Sequence, residues 1–471
     1  MKSIQKPFFL LLIFLGIIII ILGIIITPNV VAKYVKHQDS LPQYTINKII
    51  SYQLYAVTAG CLIILLSAFI YNNKIIKYIL LPVMFINIML IHRVYINKIY
   101  PNNIFLKTSE LIKPWRVLLG KEIVLSDYQP KSSLVVNNKN ILKAKYPVID
   151  MHFHLDSMEK TNREDLIKAM DACGVKTIMH LVDPPKALEK YIRDFKDKYP
   201  NRFILFGSFN LHEIGDSNKK ESNFARSQIA ILENAVKMGV QGVKVYKSFG
   251  LRIKDKTNRL VAIDDPRYDP IWDKAAELGV PVMIHVGDPT PFFTPTDRFN
   301  ERYEELRDHP EISCYGPQFP AKESLLSQAE NLIKKHPKTK FIMAHMGMSA
   351  ENLAYLSRLM DTYPNYYVDT ASVLHEIGRQ PYSARRFFIK YQDRIIFGSD
   401  GGYGLDPKGL WPAERFYRTY FEFFETGNEY FEYPIYGTYN QGRWRIYGID
   451  LPDEVLEKIY HKNAEKLLWK G

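Results

Sequence analysis

Short apolar runs alternate with amphipathic stretches from residue 147 onward, and this alternation constrains the fold more than any other feature of the chain. Eight runs have the length and composition of strands: Val148–His154, Thr177–Val182, Phe203–Asn210, Val240–Lys247, Pro281–Val286, Lys340–His345, Tyr366–Thr370 and Arg394–Asp400. Helical patterns lie between them, at Arg163–Cys173, Ala225–Met238, Asp269–Leu278, Lys322–Lys335 and Ala350–Asp361. Strands that alternate with helices pair in parallel, with the helices as crossovers.

Eight such units in about 320 residues suit a (β/α)8 barrel of the size that this fold takes with insertions. A doubly wound open sheet is the alternative. It is disfavoured because no glycine-rich phosphate-binding turn follows the first strand. We therefore predict that residues 146–471 form an α/β catalytic domain of the (β/α)8 type.

The first strand carries a polar pattern of its own. Asp150, His152 and His154 alternate with apolar residues, so the period of a strand predicts that all three point to one face. Two imidazoles on one face, two residues apart, can bind one metal ion. A strand with two hydrogen-bonded structural histidines is the competing interpretation of this stretch alone.

Several later strands also close on a polar residue that glycine or loop sequence follows. The fourth offers Lys244, the fifth ends at His285, the sixth at His345 and the eighth at Asp400. A buried strand has no packing reason to end in this way repeatedly. Because barrels build their active sites at the carboxyl ends of the strands, the pattern predicts a shared site.

This constellation resembles the amidohydrolase superfamily, and within it the amidohydrolase-related family that includes the aminocarboxymuconate semialdehyde decarboxylases. The matching residues are Asp150-x-His152-x-His154, His285, His345, Gly398-Ser399-Asp400 and a closing helix at 463–468. The resemblance covers residues 125–471 and says nothing about residues 1–100. It implies that His152, His154, His285 and Asp400 hold a divalent metal.

The resemblance leaves open whether His345 and Lys244 bind a second metal ion. His345 would ligate a second metal or polarise the substrate. Lys244 would be a carbamylated bridge in a binuclear site, or a plain lysine that pairs with an acid, which we favour. One ion is therefore expected rather than two. Imidazole and carboxylate ligands suit zinc, and also manganese or iron.

The expected chemistry follows from these residue types. A bound cation lowers the pKa of a coordinated water, Asp400 takes its proton and passes it to the leaving group, and His345 stabilises the developing oxyanion. Asp150 is expected to orient the first strand by hydrogen bonds rather than to ligate.

The insertion Asp288–Pro320 supplies Arg298 and Arg302 as candidate ligands for a substrate carboxylate. A second insertion, Tyr403–Tyr447, is rich in aromatic residues, which predicts a lid, an oligomer contact or a membrane-facing surface.

Residues 1–100 form a predicted membrane region with two or three transmembrane helices, at Phe8–Ile26, Leu54–Tyr71 and Ile75–Ile91, and residues 101–145 a connector. A signal peptide is the alternative for the first segment, but its apolar run is too long. The side of the membrane that holds the catalytic domain stays open. The net charge of +12 is dispersed, which favours lipid head groups near the spans over nucleic acid.

Three functions are compatible with this sequence. The first is a membrane-anchored, metal-dependent hydrolase that cleaves an amide, ester or lactone-type bond in a small molecule. The second is a metal-dependent, non-oxidative decarboxylase of a small carboxylic acid on the same site. The third is a membrane-tethered binding protein that has lost catalysis, and the complete ligand set argues against it. The sequence does not decide whether the protein is a homo-oligomer.

Overall fold

The computed structural model describes residues 123, 131–155, 163–218, 223–402, 413–433, 441–442 and 444–469. The chain divides into two compact units, Met1–Ser133 and Leu134–Gly471. The three predicted membrane segments and the first part of the predicted connector lie outside the described residues. Among the helices of the described part, none is both long enough and apolar enough to cross a bilayer.

A single parallel sheet forms the centre of the second unit. Its strands are β1 (Val148–His154), β2 (Val175–Leu181), β3 (Phe203–Gly207), β4 (Gly242–Val245), β5 (Val282–Ile284), β6 (Phe341–Met343), β7 (Tyr366–Asp369), β8 (Ile395–Ile396) and β9 (Gly401–Gly402). They pair in chain order from β1 to β8, and β9 pairs with the free edge of β1. All eight predicted strands are present at the predicted places.

The sheet curls until its last segment meets its first. Beyond the end of β8, the carbonyl of Phe397 accepts a hydrogen bond from the Met151 N–H at 2.9 Å. Three residues further along the chain, the backbone N–H of Asp400 donates to the carbonyl of His152 at 2.7 Å. A curled sheet of parallel strands is the arrangement expected of a (β/α)8 barrel, and a doubly wound open sheet would leave both edges unpaired.

Helices follow the strands as crossovers. They are α1 (Arg163–Cys173), α2 (Leu188–Tyr191), α3 (Phe224–Lys237), α4 (Asp269–Leu278), α5 (Tyr303–Asp308), α6 (Lys322–Lys335), α7 (Leu353–Thr362), α8 (Leu374–Ile377), α9 (Pro381–Lys390), α10 (Ala413–Glu425), α11 (Asp453–Glu457) and α12 (Asn463–Leu468). The prediction gives α1, α4 and α6 with their observed bounds. Helix α4 shows why: proline stands in its first turn, and Gly279 ends it in the left-handed region at φ 70°.

Two layers of apolar side chains hold the barrel together: an inner core inside the barrel and an outer core between the strands and the helices. The inner core fills the barrel with residues on or next to β1, β2, β3, β5, β6 and β8: Ile149, Met151, Met179, Ile204, Phe206, Met283, Ile342, Ala344 and Ile396. Ala464 and Leu467 of α12 join this inner core. Asn463 on the same helix donates two hydrogen bonds of 2.7 Å to the carbonyls of Gln392 and Ile395, next to the start of β8. The carboxyl-terminal helix therefore packs against the amino end of the barrel.

Strand β1 changes faces in its middle, and this corrects one expectation. Ile149 and Met151 belong to the inner core, whereas Val148 and Phe153 belong to the outer core between strands and helices. The pairing of β1 with β2 shifts its register between Asp150 and Phe153. Simple alternation therefore fails, and Asp150 does not share a face with the two histidines.

The aromatic segment after β8 is a core element in its described part. Helix α10 buries six aromatic side chains against the barrel: Phe416, Tyr417, Tyr420, Phe421, Phe423 and Phe424. The oligomer contact or membrane-facing surface predicted for this segment is therefore wrong for these residues, and the lid stays a prediction. Residues 403–412 and 434–440 of the same insertion lie outside the described residues.

Candidate metal centre

Two imidazoles and one carboxylate converge where β1 meets β9. Oδ1 of Asp400 lies 3.0 Å from Nε2 of His154 and 3.3 Å from Nε2 of His152. His152 is buried, whereas His154 and Asp400 each keep 24% of their side-chain surface exposed. The three ligand atoms are close enough to surround one ion, and the exposed side leaves access for a small molecule.

Asp369, at the end of β7, holds this arrangement from behind. Its Oδ2 lies 2.7 Å from Nδ1 of His152, and its Oδ1 accepts backbone N–H groups from His345 at 2.7 Å and Ala371 at 3.1 Å. Both oxygens are therefore engaged, although Asp369 also lies within ligand distance of His152 and His345. The carboxylate orients the imidazole of His152 so that Nε2 points at Asp400, a role that sequence reasoning missed.

His345 lies in an unusual turn after β6. His345, Met346, Gly347 and Met348 all have left-handed backbone angles, with φ between 52° and 62°. Each non-glycine residue there costs about 1–3 kcal/mol and persists only where its surroundings fix it. Here Asp369 binds the His345 N–H, and the ring Nδ1 lies 2.9 Å from the carbonyl of Ala371. The turn aims Nε2 of His345 at the neighbouring His285.

His285 follows β5 and completes the set. Its ring Nδ1 lies 3.3 Å from Nε2 of His345, and its backbone N–H donates to the carbonyl of Val245 at 3.0 Å. Because Nδ1 of His345 faces a carbonyl and so carries the proton, Nε2 of His345 accepts from Nδ1 of His285. This leaves Nε2 of His285 as a buried lone pair without a hydrogen-bond partner. An unpaired buried imidazole nitrogen is a ready metal ligand.

Lys244 reaches the same place from β4. The side chain is buried at 2% exposure, and Nζ lies 2.5 Å from Nε2 of His152. The sequence prediction placed it in the site as a pairing or bridging lysine, and the structure brings it there. In this arrangement the amine occupies the side of His152 that a metal ion would use. We refer to this cluster as the polar centre. Its members are Lys244, His152, His154, His285, His345, Asp369 and Asp400.

Asp150 supports the polar centre from the helix side of β1. Its Oδ1 accepts backbone N–H groups from His152 at 3.1 Å and Ser399 at 3.0 Å, and its Oδ2 accepts from the hydroxyls of Ser399 at 2.5 Å and Tyr417 at 2.7 Å. Burial raises the pKa of this carboxyl to about 6 in spite of these donors. Asp150 thus joins β1 to the segment that carries Asp400, which confirms the orienting role predicted for it.

The charges of the polar centre act strongly on one another. Burial, and next the Lys244 ammonium, lower the pKa of His152 to about 4, although Asp369 and Asp400 oppose the shift. Burial also lowers the pKa of His285 well below its usual value, and the charge of His345 adds to this. Burial alone would raise the pKa of Asp400, but His152 and His154 outweigh it and hold the carboxyl well below its usual range. Neutral imidazoles beside an ionised carboxylate are the protonation states that metal binding requires.

The donor set fits a divalent cation. His152, His154 and Asp400 bring two imidazole nitrogens and one carboxylate oxygen within ligand distance of one another, and His285 and His345 lie beside them. The buried lone pair on His285 has no other use in the structure. This mixture of nitrogen and oxygen ligands suits zinc, manganese or iron and does not select among them.

The two arginines predicted to bind substrate lie elsewhere. Arg302 is buried, with Nε 2.6 Å from Glu305 Oε2 and Nη1 3.7 Å from Glu376 Oε1. Arg298 is exposed and stacks over Phe299 at 4.8 Å. The structure does not bring either residue into the polar centre. Substrate binding by them stays a prediction, and for Arg302 it would require two ion pairs to open.

Comparison with known families identifies the chain. A sequence profile described as Amidohydrolase matches residues 221–469, which is more than half of the sequence. The chain belongs to the amidohydrolase family. The matched span includes His285, His345 and Asp400, while His152 and His154 on β1 precede it. The geometry of the polar centre fits an enzyme of this family that binds a divalent metal. No curated protein matches the chain significantly.

Several solved structures are similar at low sequence identity. One is a 2,6-dihydroxybenzoate decarboxylase in complex with 2,6-dihydroxybenzoate, 17% identical over 69% of this chain and 99% of that chain, with a TM-score of 0.43. Another is a dihydroxybenzoic acid decarboxylase from Polaromonas sp. JS666 with bound manganese and 2-nitroresorcinol, 17% identical over 69% and 97%, with a TM-score of 0.42. A third is 4-oxalomesaconate hydratase, LigJ, from Rhodopseudomonas palustris, 16% identical over 68% and 95%, with a TM-score of 0.39. At these values the similarity does not assign a reaction to this chain.

Proposed function

We propose that this amidohydrolase-family protein is a metal-dependent hydrolase that cleaves an amide, ester or lactone-type bond in a small molecule. The observation that carries the proposal is the convergence of His152 and His154 on Asp400, with both Nε2 atoms within 3.3 Å of its Oδ1, at an accessible edge of the barrel. A bound divalent ion would lower the pKa of a coordinated water towards neutrality and polarise a carbonyl group. The remaining steps fall to residues of the chain.

Asp400 is the residue placed to move the proton. Its carboxylate lies at the accessible side of the polar centre, where the attacking water and the leaving group must both approach. Its backbone is fixed in the left-handed region at φ 60° by the hydrogen bond from its own N–H to His152. In this position Oδ1 is directed at His152 and His154. Asp400 would therefore take the proton from water and deliver it to the leaving group.

His345 is the residue placed to stabilise charge on the substrate oxygen. Its Nε2 points towards His285 and the interior of the centre, and its Nδ1 is held by the carbonyl of Ala371. With a second proton on Nε2, the preoriented imidazolium of His345 would donate to a carbonyl oxygen on which negative charge develops, without reorganisation. With Nε2 unprotonated, as in its contact with His285, it would instead be able to ligate a second ion, which is the binuclear alternative.

Decarboxylation on the same site remains the alternative reaction. It requires a clamp for the substrate carboxylate in addition to the metal ion, and the predicted candidate Arg302 is occupied by Glu305 and Glu376. Hydrolysis has no such requirement. We therefore favour hydrolysis, and the two reactions differ in their products.

The test uses the full-length protein, analysed for metal content and then assayed with a panel of esters, lactones and amides in water enriched in oxygen-18. The proposal expects label in the carboxylate product and loss of turnover in Asp400→Asn at saturating metal. Asp393→Asn is the matched control, since Asp393 is exposed and lies just before β8, at the opposite end of the barrel from Asp400. Carbon dioxide release from carboxylic acids without label uptake would favour the decarboxylase. Absence of bound metal from the purified and metal-supplied protein would overturn both.

We also propose that the apolar segments before residue 100 anchor the enzyme in a membrane. Their length and composition support the proposal. Extraction of membranes with alkaline carbonate tests it: an anchored protein stays in the pellet, and release into the supernatant would contradict the anchor.

A further inference from the structure

Two buried polar side chains without hydrogen-bond partners line one small cleft at the end of α10. They are Tyr433, 6% exposed, and Gln441, 7% exposed, with the Tyr433 hydroxyl and Gln441 Oε1 unpaired. His375 lines the same cleft, and its buried Nε2 also makes no hydrogen bond of acceptable geometry, although Glu376 Oε1 lies 3.1 Å away. Buried polar atoms are nearly always paired, so atoms that face a shared space indicate a missing partner.

The cleft and the polar centre are built on the same backbone. Ser372 lines the cleft, and its N–H donates to the hydroxyl of Tyr420 at 2.9 Å. That hydroxyl in turn donates to the carbonyl of Ser399 at 3.0 Å, one residue before Asp400. On the other side, Ser372 follows Ala371, whose carbonyl holds His345. The cleft therefore lies one residue from Ala371, which holds His345, and is linked through Tyr420 to the residue before Asp400.

The unpaired atoms define what kind of group fits. Gln441 Oε1 only accepts hydrogen bonds, so the occupant must donate one, which excludes a carboxylate. The Tyr433 hydroxyl can donate, so the occupant should also accept. The open space is comparable to one water molecule, and aromatic faces of Phe416 and Tyr420 border it. A hydroxyl group on a flat or apolar framework meets all three conditions.

The charges around the cleft also favour an uncharged occupant. The buried guanidinium of Arg302 is shared between Glu305 and Glu376, so two carboxylates face one cation. Burial lowers the pKa of His375, which keeps its imidazole neutral, while Glu376 opposes the shift. These groups offer no free positive charge for an anion.

We propose that this cleft binds an uncharged hydroxyl group of the substrate, at a position away from the bond that is cleaved. The proposal rests on the proposed function in taking the occupant to be the substrate. The hydrogen bonds themselves depend on Tyr433 and Gln441 and not on a metal ion. The substrate class is accordingly a hydroxylated, aromatic or apolar carbonyl compound.

Phenol and anisole are the probes that test the cleft, because anisole can accept a hydrogen bond but cannot donate one. Their affinities for the full-length protein are measured by ligand-observed NMR titration, before and after treatment with a chelator. We expect wild type to bind phenol roughly tenfold more tightly than anisole. Gln441→Met should lose that preference, Tyr433→Phe should weaken the binding of both probes and keep the preference, and Tyr382→Phe, on an 81% exposed tyrosine, should change neither.

Equal affinities for phenol and anisole in wild type would overturn the proposal without reliance on any variant. A crystal structure with phenol that shows only a bound water in the cleft would also overturn it. A preference that survives the chelator supports the cleft even if metal-dependent hydrolysis fails. A preference that the chelator abolishes would assign phenol binding to the polar centre and contradict the cleft.

Discussion

Asp369 Oδ2 lies 2.7 Å from Nδ1 of His152, and the partners are 217 residues apart in the chain. The other oxygen of the same carboxylate accepts the N–H of His345 at 2.7 Å. One side chain therefore fixes an imidazole on β1 and the left-handed turn after β6. The position of Asp369 at the end of β7 makes this link across the barrel, because strands β6, β7 and β8 bring their carboxyl ends to one face.

We expect Asp369→Asn to lower metal affinity about 10- to 100-fold, which is the range for loss of a carboxylate that orients a ligating histidine. An asparagine has only one acceptor oxygen, so it cannot hold both His152 and the backbone of His345. Competition with a chromogenic chelator measures the affinity. Asp361→Asn, on a 53% exposed aspartate, is the control and should match wild type. Equal affinities for the two variants would remove Asp369 from the positioning of the metal.

Lys244 and a metal ion would compete for Nε2 of His152, because Nζ lies 2.5 Å from that nitrogen. If the site is mononuclear, Lys244→Met removes the competitor, and the variant should keep about one equivalent of metal with affinity equal to or above that of wild type. Elemental analysis with chelator competition makes the comparison. Two equivalents in wild type that fall to one or none in Lys244→Met would instead indicate a carbamylated, bridging lysine.

Much of this architecture follows from the sequence because the barrel strands are short, apolar and regularly spaced. Each strand that carries a ligand ends in a polar residue, so His285, His345 and Asp400 stand out against their apolar surroundings. Asp369 shows the same pattern at the end of β7. Its role was missed because a carboxylate at a strand end has the same sequence signature whether it binds substrate, makes a local turn or positions a distant histidine.

Two other features depend on geometry that residue order does not contain. The register shift in β1 separates Asp150 from the histidines, and no glycine or proline in that strand announces it. Helix α10 did leave a signal, since Phe416, Tyr420 and Phe424 recur every four residues, a helical period. Its aromatic content was interpreted as a lid, an oligomer contact or a membrane-facing surface, because the helices and strands that cover it come from distant parts of the chain.

Acid should weaken the fold through Glu376. Burial raises the pKa of this carboxyl, but His375 and Arg302 outweigh burial and lower the pKa to about 2, from an ordinary value of 4.5. A pKa that is lower in the folded chain stabilises folding above the unfolded value, and the contribution is lost as the pH falls from 4.5 towards 2. Glu376 therefore contributes at most about 3 kcal/mol to the free energy of unfolding.

We therefore expect the Tm of the metal-free wild type to fall more steeply below about pH 5 than that of Glu376→Gln. The variant is less stable at neutral pH, because its amide no longer pairs with the guanidinium of Arg302. Thermal unfolding followed by circular dichroism over a pH series gives both curves. Glu323→Gln, at an exposed position in the first turn of α6, controls for the loss of a carboxylate. Parallel curves for wild type and Glu376→Gln would show that Glu376 does not contribute to the acid sensitivity.

Gly398 gives a direct test of how tightly the polar centre is packed. A methyl group added at this residue would lie 2.8 Å from Cβ of His152, closer than two such carbons can approach. We expect Gly398→Ala to displace His152, lower metal affinity at least tenfold, and cost about 1–3 kcal/mol of stability from overpacking. Gly427→Ala is the matched control, because nothing lies within 4 Å of the added carbon there. Metal affinity and thermal unfolding are measured for both variants. If Gly398→Ala behaves like Gly427→Ala, the position of His152 does not depend on this contact, and the geometry of the centre is looser than the distances to Asp369 and Asp400 require.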